Sequence, residues 1–171
     1  MNNNIIMMKV PYKIPSQTLI GHVHLKVADL KRALTFYCDL LGFEITTMYG
    51  EDAAFISAGG YHHHIGLNTW YSKNGGPAPL HTAGLFHTAI LYAERKDLAA
   101  IYKRVIEAEY PFTGFADHGV SEALYLNDPD GNGVELYWDR PKKLWPQRPD
   151  GSLEMFSEHL DLKNLLMELE R

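Results

Sequence analysis

Residues 21–44, GHVHLKVADLKRALTFYCDLLGFE, run from a strand into a capped helix and leave it at a glycine. Val23, Leu25 and Val27 alternate with His22, His24 and Lys26, which is the period of a half-buried strand. Asp29 stands at an N-cap position, Leu30, Leu34, Tyr37 and Leu41 recur at helical spacing, and Gly42 supplies the stop. Three more strands are expected at 43–49, 53–57 and 62–69, divided by Gly50-Glu51-Asp52 and Gly59-Gly60. The same order then returns. A strand over 85–92 leads to a helix over 96–108 carrying Leu98, Ile101, Tyr102 and Val105, followed by strands near 112–116, 123–127 and 134–138. The turn Asp128-Pro129-Asp130-Gly131-Asn132-Gly133 joins the last two, with Pro and Gly where a tight turn wants them. The pattern is βαβββ twice, an internal duplication at a period of about 65 residues.

This reading divides the chain into an N-terminal arm (1–18), a first βαβββ module (19–70), a Gly/Pro-rich linker loop (71–84), a second βαβββ module (85–141) and a tail (142–171) with a short helix. The expected fold class is α+β, two βαβββ modules forming a curved, cup-like mixed sheet with helices on its outer face. The leucines of the tail helix, DLKNLLMELER, are expected to dock on the body or on a second subunit.

Composition narrows the function classes. A 171-residue chain that is 46% hydrophobic and 22% charged is an ordinary globular protein with length enough for a core. Its formal charge of −5 argues against a nucleic-acid footprint or a polybasic membrane anchor. One cysteine, Cys38, excludes an intramolecular disulfide or a multi-cysteine zinc site, and it reads as a small apolar residue on its helix. Neither a long apolar span nor a charged-then-apolar N-terminus is seen, so the expected location is cytoplasmic and reducing. Nine histidines stand out, because imidazole is a common metal ligand and proton carrier near neutral pH.

Strand parity says where the polar side chains point. Val134, Leu136 and Trp138 make an apolar side, leaving Glu135, Tyr137 and Asp139 opposite. Leu124 and Leu126 leave Ala123, Tyr125 and Asn127 opposite, and Ile65 and Leu67 leave His62, His64, Gly66 and Asn68. One face is therefore dense in His, Glu and Tyr. His22 and His87 each stand three residues before an aliphatic residue, Leu25 and Ile90, at matching module positions. Gly66 occupies in the first module the place that Glu135 holds in the second. Two imidazoles and a carboxylate from three strands can form a facial triad with open positions for substrate and O2 on Fe(II). Mn(II), Co(II) or Zn(II) would suit the same donors.

The βαβββ repeat with GHVHLKVADLKRALTFYCDLLGFE, GLFHTAIL and DHGVSEALYLNDPDGNGVELYWDRP resembles the vicinal oxygen chelate superfamily, nearest its extradiol catechol 2,3-dioxygenase-like branch. The likeness covers roughly residues 20–141, and YLNDPDGNGVELY is its most specific part. The resemblance implies that His22, His87 and Glu135 bind the metal. It places a tyrosine ten residues before the glutamate, which is Tyr125, and an upstream loop histidine, which is His118. It puts the acid–base histidine on the fourth strand of the first module, at His64, with His62 as the fallback and His63 disfavoured by parity. A fourth ligand of the glyoxalase type would fall on Gly66, and its absence favours the three-ligand, oxygen-using reading.

The implied activity is ring opening of a catechol-like diol by O2, with Fe(II) as cofactor and a homodimer as assembly. His64 would take the diol proton, while His118 and Tyr125 orient the substrate oxygens. The aromatic segments 70–71 and 137–145 could supply apolar walls for a flat ring. His24 reads as cup lining, His81 and His159 as solvated, and the acids of the 128–133 turn as structural. Members of the superfamily also include glyoxalases, thiol transferases and metal-free antibiotic-binding proteins, and these remain the alternatives.

Overall fold

Asp29 does cap the first helix, its carboxylate accepting from the Arg32 N–H at 3.0 Å. In the computed structural model, whose described residues are 11–171, that helix (α1, Leu30–Leu34) continues as a π-helical stretch over Thr35–Leu40 and ends before Gly42. Gly42 takes a φ of 88°, a left-handed conformation that a side chain would disfavour. The first ten residues of the expected N-terminal arm lie outside the described residues.

The remaining elements follow the expected order. They are β1 (Val23–Lys26), β2 (Glu44–Tyr49), β3 (Ala53–Ser57), β4 (Ile65–Asn68), β5 (Thr88–Tyr92), α2 (Arg95–Glu107), β6 (Phe112–Asp117), β7 (Ser121–Asn127), β8 (Gly133–Asp139) and α3 (Leu162–Leu166). The fold is α+β, as expected, and the eight strands among the described residues are shared between two four-stranded mixed sheets, β1-β4-β3-β2 and β5-β8-β7-β6. In each sheet the first strand pairs parallel with the fourth and the other pairs are antiparallel. β1 and β5 are therefore equivalent edge strands. Among the described residues no helix is long and apolar enough to cross a membrane.

The core sits between the sheets and the helices. Helix α2 buries Leu98, Ile101, Tyr102 and Val105 on one face, as its periodicity predicts. Each such large apolar side chain contributes about 1.5–3 kcal/mol when removed from water. Both modules feed one hydrophobic cluster, and polar contacts tie them together on the helical side. The guanidinium of Arg104 on α2 donates to the Leu40 carbonyl at 2.7 Å and to the Asp39 carbonyl, satisfying the end of the first module's helix. Tyr37 donates its buried hydroxyl to Asp128 at 3.1 Å. Asp128 also accepts from the backbone N–H groups of Asp130 and Asn132 and from the Asn132 side chain, each at 2.9 Å. The 128–133 turn is thus structural, and Asp128 serves as its buried organiser rather than an exposed tip.

The tail docks on its own chain. Leu160 and Leu165 are buried, and α3 packs against α2. Buried Glu122 receives Arg95 at 2.7 Å and Arg140 at 2.8 Å, and Arg95 reaches on to Glu168 of the tail. The leucine stripe is consumed within the chain, so it does not speak for a partner subunit.

Candidate active site

Glu135 is positioned by register. In β8 it stands opposite Tyr125 of antiparallel β7 and opposite Ala89 of parallel β5. At the start of β8, Gly133 lets β5 come close: a Cβ there would lie 2.2 Å from the Phe86 carbonyl oxygen. That approach carries His87 to the carboxylate, with Nε2 3.0 Å from Oε2 of Glu135. The other His87 nitrogen, Nδ1, is buried with no hydrogen-bond partner among the described residues.

The second oxygen of the same carboxylate closes a polar chain. Tyr125 donates its hydroxyl to Oε1 of Glu135 at 2.9 Å, and Nε2 of His118 lies 2.7 Å from that hydroxyl. Nδ1 of His118 lies 2.9 Å from the Phe156 carbonyl oxygen, which can only accept, so Nδ1 carries a proton. The Tyr125 hydroxyl has one proton and cannot give it both ways. Burial, reinforced by the Glu135 carboxylate, pushes the Tyr125 phenol well above the usual tyrosine range, so it stays a donor.

The first module gathers the other imidazoles. His22 precedes β1, and its ring lies 4.4 Å from that of His63. His62 and His63 approach through their Nδ1 atoms at 2.7 Å. His63 also meets Phe55, with ring centroids 5.0 Å apart. The ring of His64 turns instead to the end of β3, its Nδ1 lying 3.0 Å from the Ser57 hydroxyl and accepting from the Ala58 N–H at 3.3 Å. The parity that disfavoured His63 does not reach it, because β4 begins at Ile65 and residues 61–64 are irregular. Burial and the surrounding imidazoles hold His63 below the ordinary histidine range, and burial followed by His22 does the same for His24.

The expected ligands are therefore brought together two and one. His87 and Glu135 stand side by side with the polar chain behind them, while His22 belongs to the histidine cluster of the other module. Among the described residues no three His, Cys, Asp or Glu side chains gather closely enough to hold an ion. As a donor set, a histidine nitrogen and a carboxylate oxygen 3.0 Å apart fit two adjacent positions on a borderline metal such as Fe(II). A groove between α1 and α2, lined by Arg32, Phe36, Arg104 and Tyr110, contains none of these residues.

The sequence reading passed over two contributors. One is the Phe156 carbonyl, which comes from the distant tail. The other is Phe55, which joins His24, expected as cup lining, and Trp70, expected as an apolar wall; its signal is the side-chain-free Gly66 beside it. Gly66 is in register with both His24 and Phe55.

Comparison with known proteins places these features in context. The profile of the Glyoxalase/Bleomycin resistance protein/Dioxygenase superfamily matches residues 19–136. The chain is 47% identical over 156 residues to a Catechol-2,3-dioxygenase of Bacillus subtilis, covering 91% of this chain and 53% of that protein. It is 33% identical over 128 residues to Biphenyl-2,3-diol 1,2-dioxygenase 3 of Rhodococcus globerulus, covering 70% of this chain and 63% of that protein. The chain thus spans between half and two thirds of the length of these curated relatives. Among solved structures, a lactoylglutathione lyase from Agrobacterium tumefaciens matches with a TM-score of 0.58 at 24% identity, over 78% of this chain and 98% of that one. A glyoxalase/dioxygenase from Nostoc punctiforme matches with a TM-score of 0.62 at 15% identity, over 77% of this chain and 99% of that one. These structural likenesses speak to the fold.

Proposed function

The chain belongs to the Glyoxalase/Bleomycin resistance protein/Dioxygenase superfamily, and from that premise we propose that it opens the ring of a catechol-like aromatic diol with O2, as an extradiol-type dioxygenase that holds Fe(II). The observation carrying this reading is the placement of His87 and Glu135 at 3.0 Å, with Tyr125 and His118 hydrogen-bonded in series onto the same carboxylate. The 47% identity to a protein named Catechol-2,3-dioxygenase supports the choice of substrate class.

His87 and Glu135 would supply two ligands and His22 the third. Since His22 stands in the other module, we propose that the working form is a homodimer in which a second copy completes the set. Edge strands β1 and β5 are equivalent in the duplicated fold, each led by an exposed apolar pair, Leu19-Ile20 before His22 and Leu85-Phe86 before His87. A two-fold pairing that sets β1 of one copy beside β5 of the other covers both edges and both pairs at once.

The metal, when bound, supplies positive charge that lowers the proton affinity of the diol oxygens, together with a one-electron centre suited to O2. The protein's own groups do the rest. An imidazole of the run 62–64 takes a diol proton: His64, with His62 as the fallback, is the ring the resemblance implies, and the 4.4 Å approach of His63 to His22 supports His63 as the other candidate. Tyr125, whose hydroxyl proton is held by Oε1 of Glu135 and which does not ionise near neutrality, would turn that proton to oxygen negative charge as it develops. His118 resupplies that proton through Tyr125, and the Phe156 carbonyl keeps its ring turned toward the site. Both atoms of O2 enter the ring-opened product, so the reaction consumes no external reductant. A reducing cytoplasmic setting, which keeps iron ferrous, belongs to the same proposal.

The test is anaerobic reconstitution with Fe(II), followed by O2 uptake and absorbance with a panel of catechols. Oxygen consumption with yellow ring-cleavage products is expected. Ion binding without oxygen uptake would favour a glyoxalase-like or transferase chemistry, and absence of ion affinity a binding protein.

A further inference from the structure

The hairpin turn that carries His118 is held from outside by one arginine, which the proposed chemistry leaves unused. Arg140, just beyond β8, lays its guanidinium as a fork on the Asp117 carboxylate, Nη1 on Oδ1 and Nη2 on Oδ2, the latter at 2.8 Å. Oδ1 of Asp117 also accepts from the Gly119 N–H at 2.8 Å, so the fork orients the carboxylate on which the turn is built. The Arg140 backbone N–H donates to the Val120 carbonyl at 2.8 Å, and Nη1 reaches the Ser121 carbonyl at 3.5 Å. Both ends of the turn are thus tied to one residue, and His118 lies between them.

The arginine is itself anchored. Its Nη2 donates to buried Glu122 at 2.8 Å, while the other Glu122 oxygen takes Arg95, which goes on to Glu168. Charges alternate along Asp117–Arg140–Glu122–Arg95–Glu168, and each guanidinium sits between two carboxylates. The duplication shows that the fold does not require this clamp. Arg140 stands five residues beyond Glu135; five beyond Gly66 the first module has Tyr71, which is 91% exposed. The matching turn, Gly50-Glu51-Asp52, bears no histidine, and its Asp52 pairs with Lys73 in solvent. Among the described residues the clamp belongs to the module whose turn carries a ring of the polar chain.

We infer that Arg140 is a positioning residue: by clamping the turn it holds the His118 ring between the Phe156 carbonyl and the Tyr125 hydroxyl, a role that rests on the dioxygenase reading for its effect on turnover. Contacts of 2.9 and 2.7 Å on opposite nitrogens of one ring leave it little room to shift without losing one. None of the Arg140 side-chain contacts is with His87, Glu135 or Tyr125, so it acts through the turn.

The test reads the ring without metal or oxygen, by NMR of the metal-free protein. An imidazole N–H held by a carbonyl gives a downfield, slowly exchanging proton signal, assigned to His118 by its loss in His118→Ala. Wild type should show it. Arg140→Lys keeps a positive charge beside Glu122 but cannot form the fork, and should speed exchange of the signal about tenfold or more. Asp117→Asn should do the same with the arginine intact. Tyr37→Phe, which loses a buried bond at the opposite end of β7, should lower the urea midpoint and leave the signal as in wild type. In the Fe(II)-loaded enzyme Arg140→Lys should lower kcat about tenfold while KM stays within about twofold. No protected His118 signal in wild type, unchanged exchange in both turn variants, equal loss in Tyr37→Phe, or an effect confined to KM overturns the proposal. The expected exchange pattern in a protein that opens no ring would strike the dioxygenase reading alone.

Discussion

The Tyr125 hydroxyl donates to Oε1 of Glu135 at 2.9 Å across the β7–β8 pair, while the other oxygen of that carboxylate faces His87. A single carboxylate therefore joins the proposed metal position to the proton chain. Removing the hydroxyl separates the two functions. Tyr125→Phe should lower kcat by about 10²-fold through loss of proton delivery. Its effect on Fe(II) affinity should be smaller than that of Glu135→Ala. Steady-state kinetics beside an anaerobic metal titration measure both.

The tail enters the site at Phe156. The Phe156 carbonyl fixes a proton on His118 Nδ1, and the Phe156 ring packs over Gly119, where a Cβ would lie 2.6 Å from it. Phe156→Ala should loosen that segment and lower kcat, with little change in the substrate KM, because the residue acts by aiming His118. A pH–rate profile that shifts in Phe156→Ala and in His118→Ala, but not in a surface variant such as Lys143→Ala, checks it.

The modules are joined by a buried bond, and its loss should cost stability. Tyr37→Phe leaves Asp128 with its turn donors but without the cross-module one, a loss of about 1–2 kcal/mol. Asp128→Ala strips three turn bonds as well and should cost about 3–5 kcal/mol. Urea unfolding of both variants decides whether the order holds.

Alkaline pH should destabilise the fold in a specific window. Burial, with Asp97 nearby, raises the Tyr92 phenol from its ordinary 10.0 to about 12. Below the unfolded value both states keep the proton, so this contribution is complete. As pH rises from there through the folded value, the unfolded chain alone gives up its proton and stability falls. Tyr92→Phe should flatten the decline in the urea midpoint between about pH 10 and 12 relative to wild type.

Much of this was readable in advance, and the failures have physical reasons. Alternation of polar and apolar residues holds through β7 and β8, so Tyr125 and Glu135 were placed on one face from sequence, and register confirms them as neighbours. Alternation breaks at residues 61–64, where the chain is irregular, so His63 rather than His64 stands next to His22. The duplication reveals that His22 and His87 are equivalent, but not how the modules meet. That depends on Arg104 and Tyr37, whose partners lie 64 and 91 residues away. The same distance in sequence hid the Phe156 carbonyl. The tail leucines were legible as an apolar stripe, yet only packing could show that α2 covers them.

A mixed dimer tests the sharing of the site. His22→Ala and Glu135→Ala chains, each inactive alone, should regain ring cleavage when refolded together, since the mixed dimer holds one complete ligand set. Absence of recovery in a verified heterodimer would mean that each set closes within one chain.

The most direct measurement is anaerobic equilibrium binding of Fe(II) to the wild-type protein and to His22→Ala, His87→Ala and Glu135→Ala. About one ion per chain is predicted for the wild type, with affinity lowered at least about 100-fold in each of the three variants. Retention of wild-type affinity by all three would contradict the account.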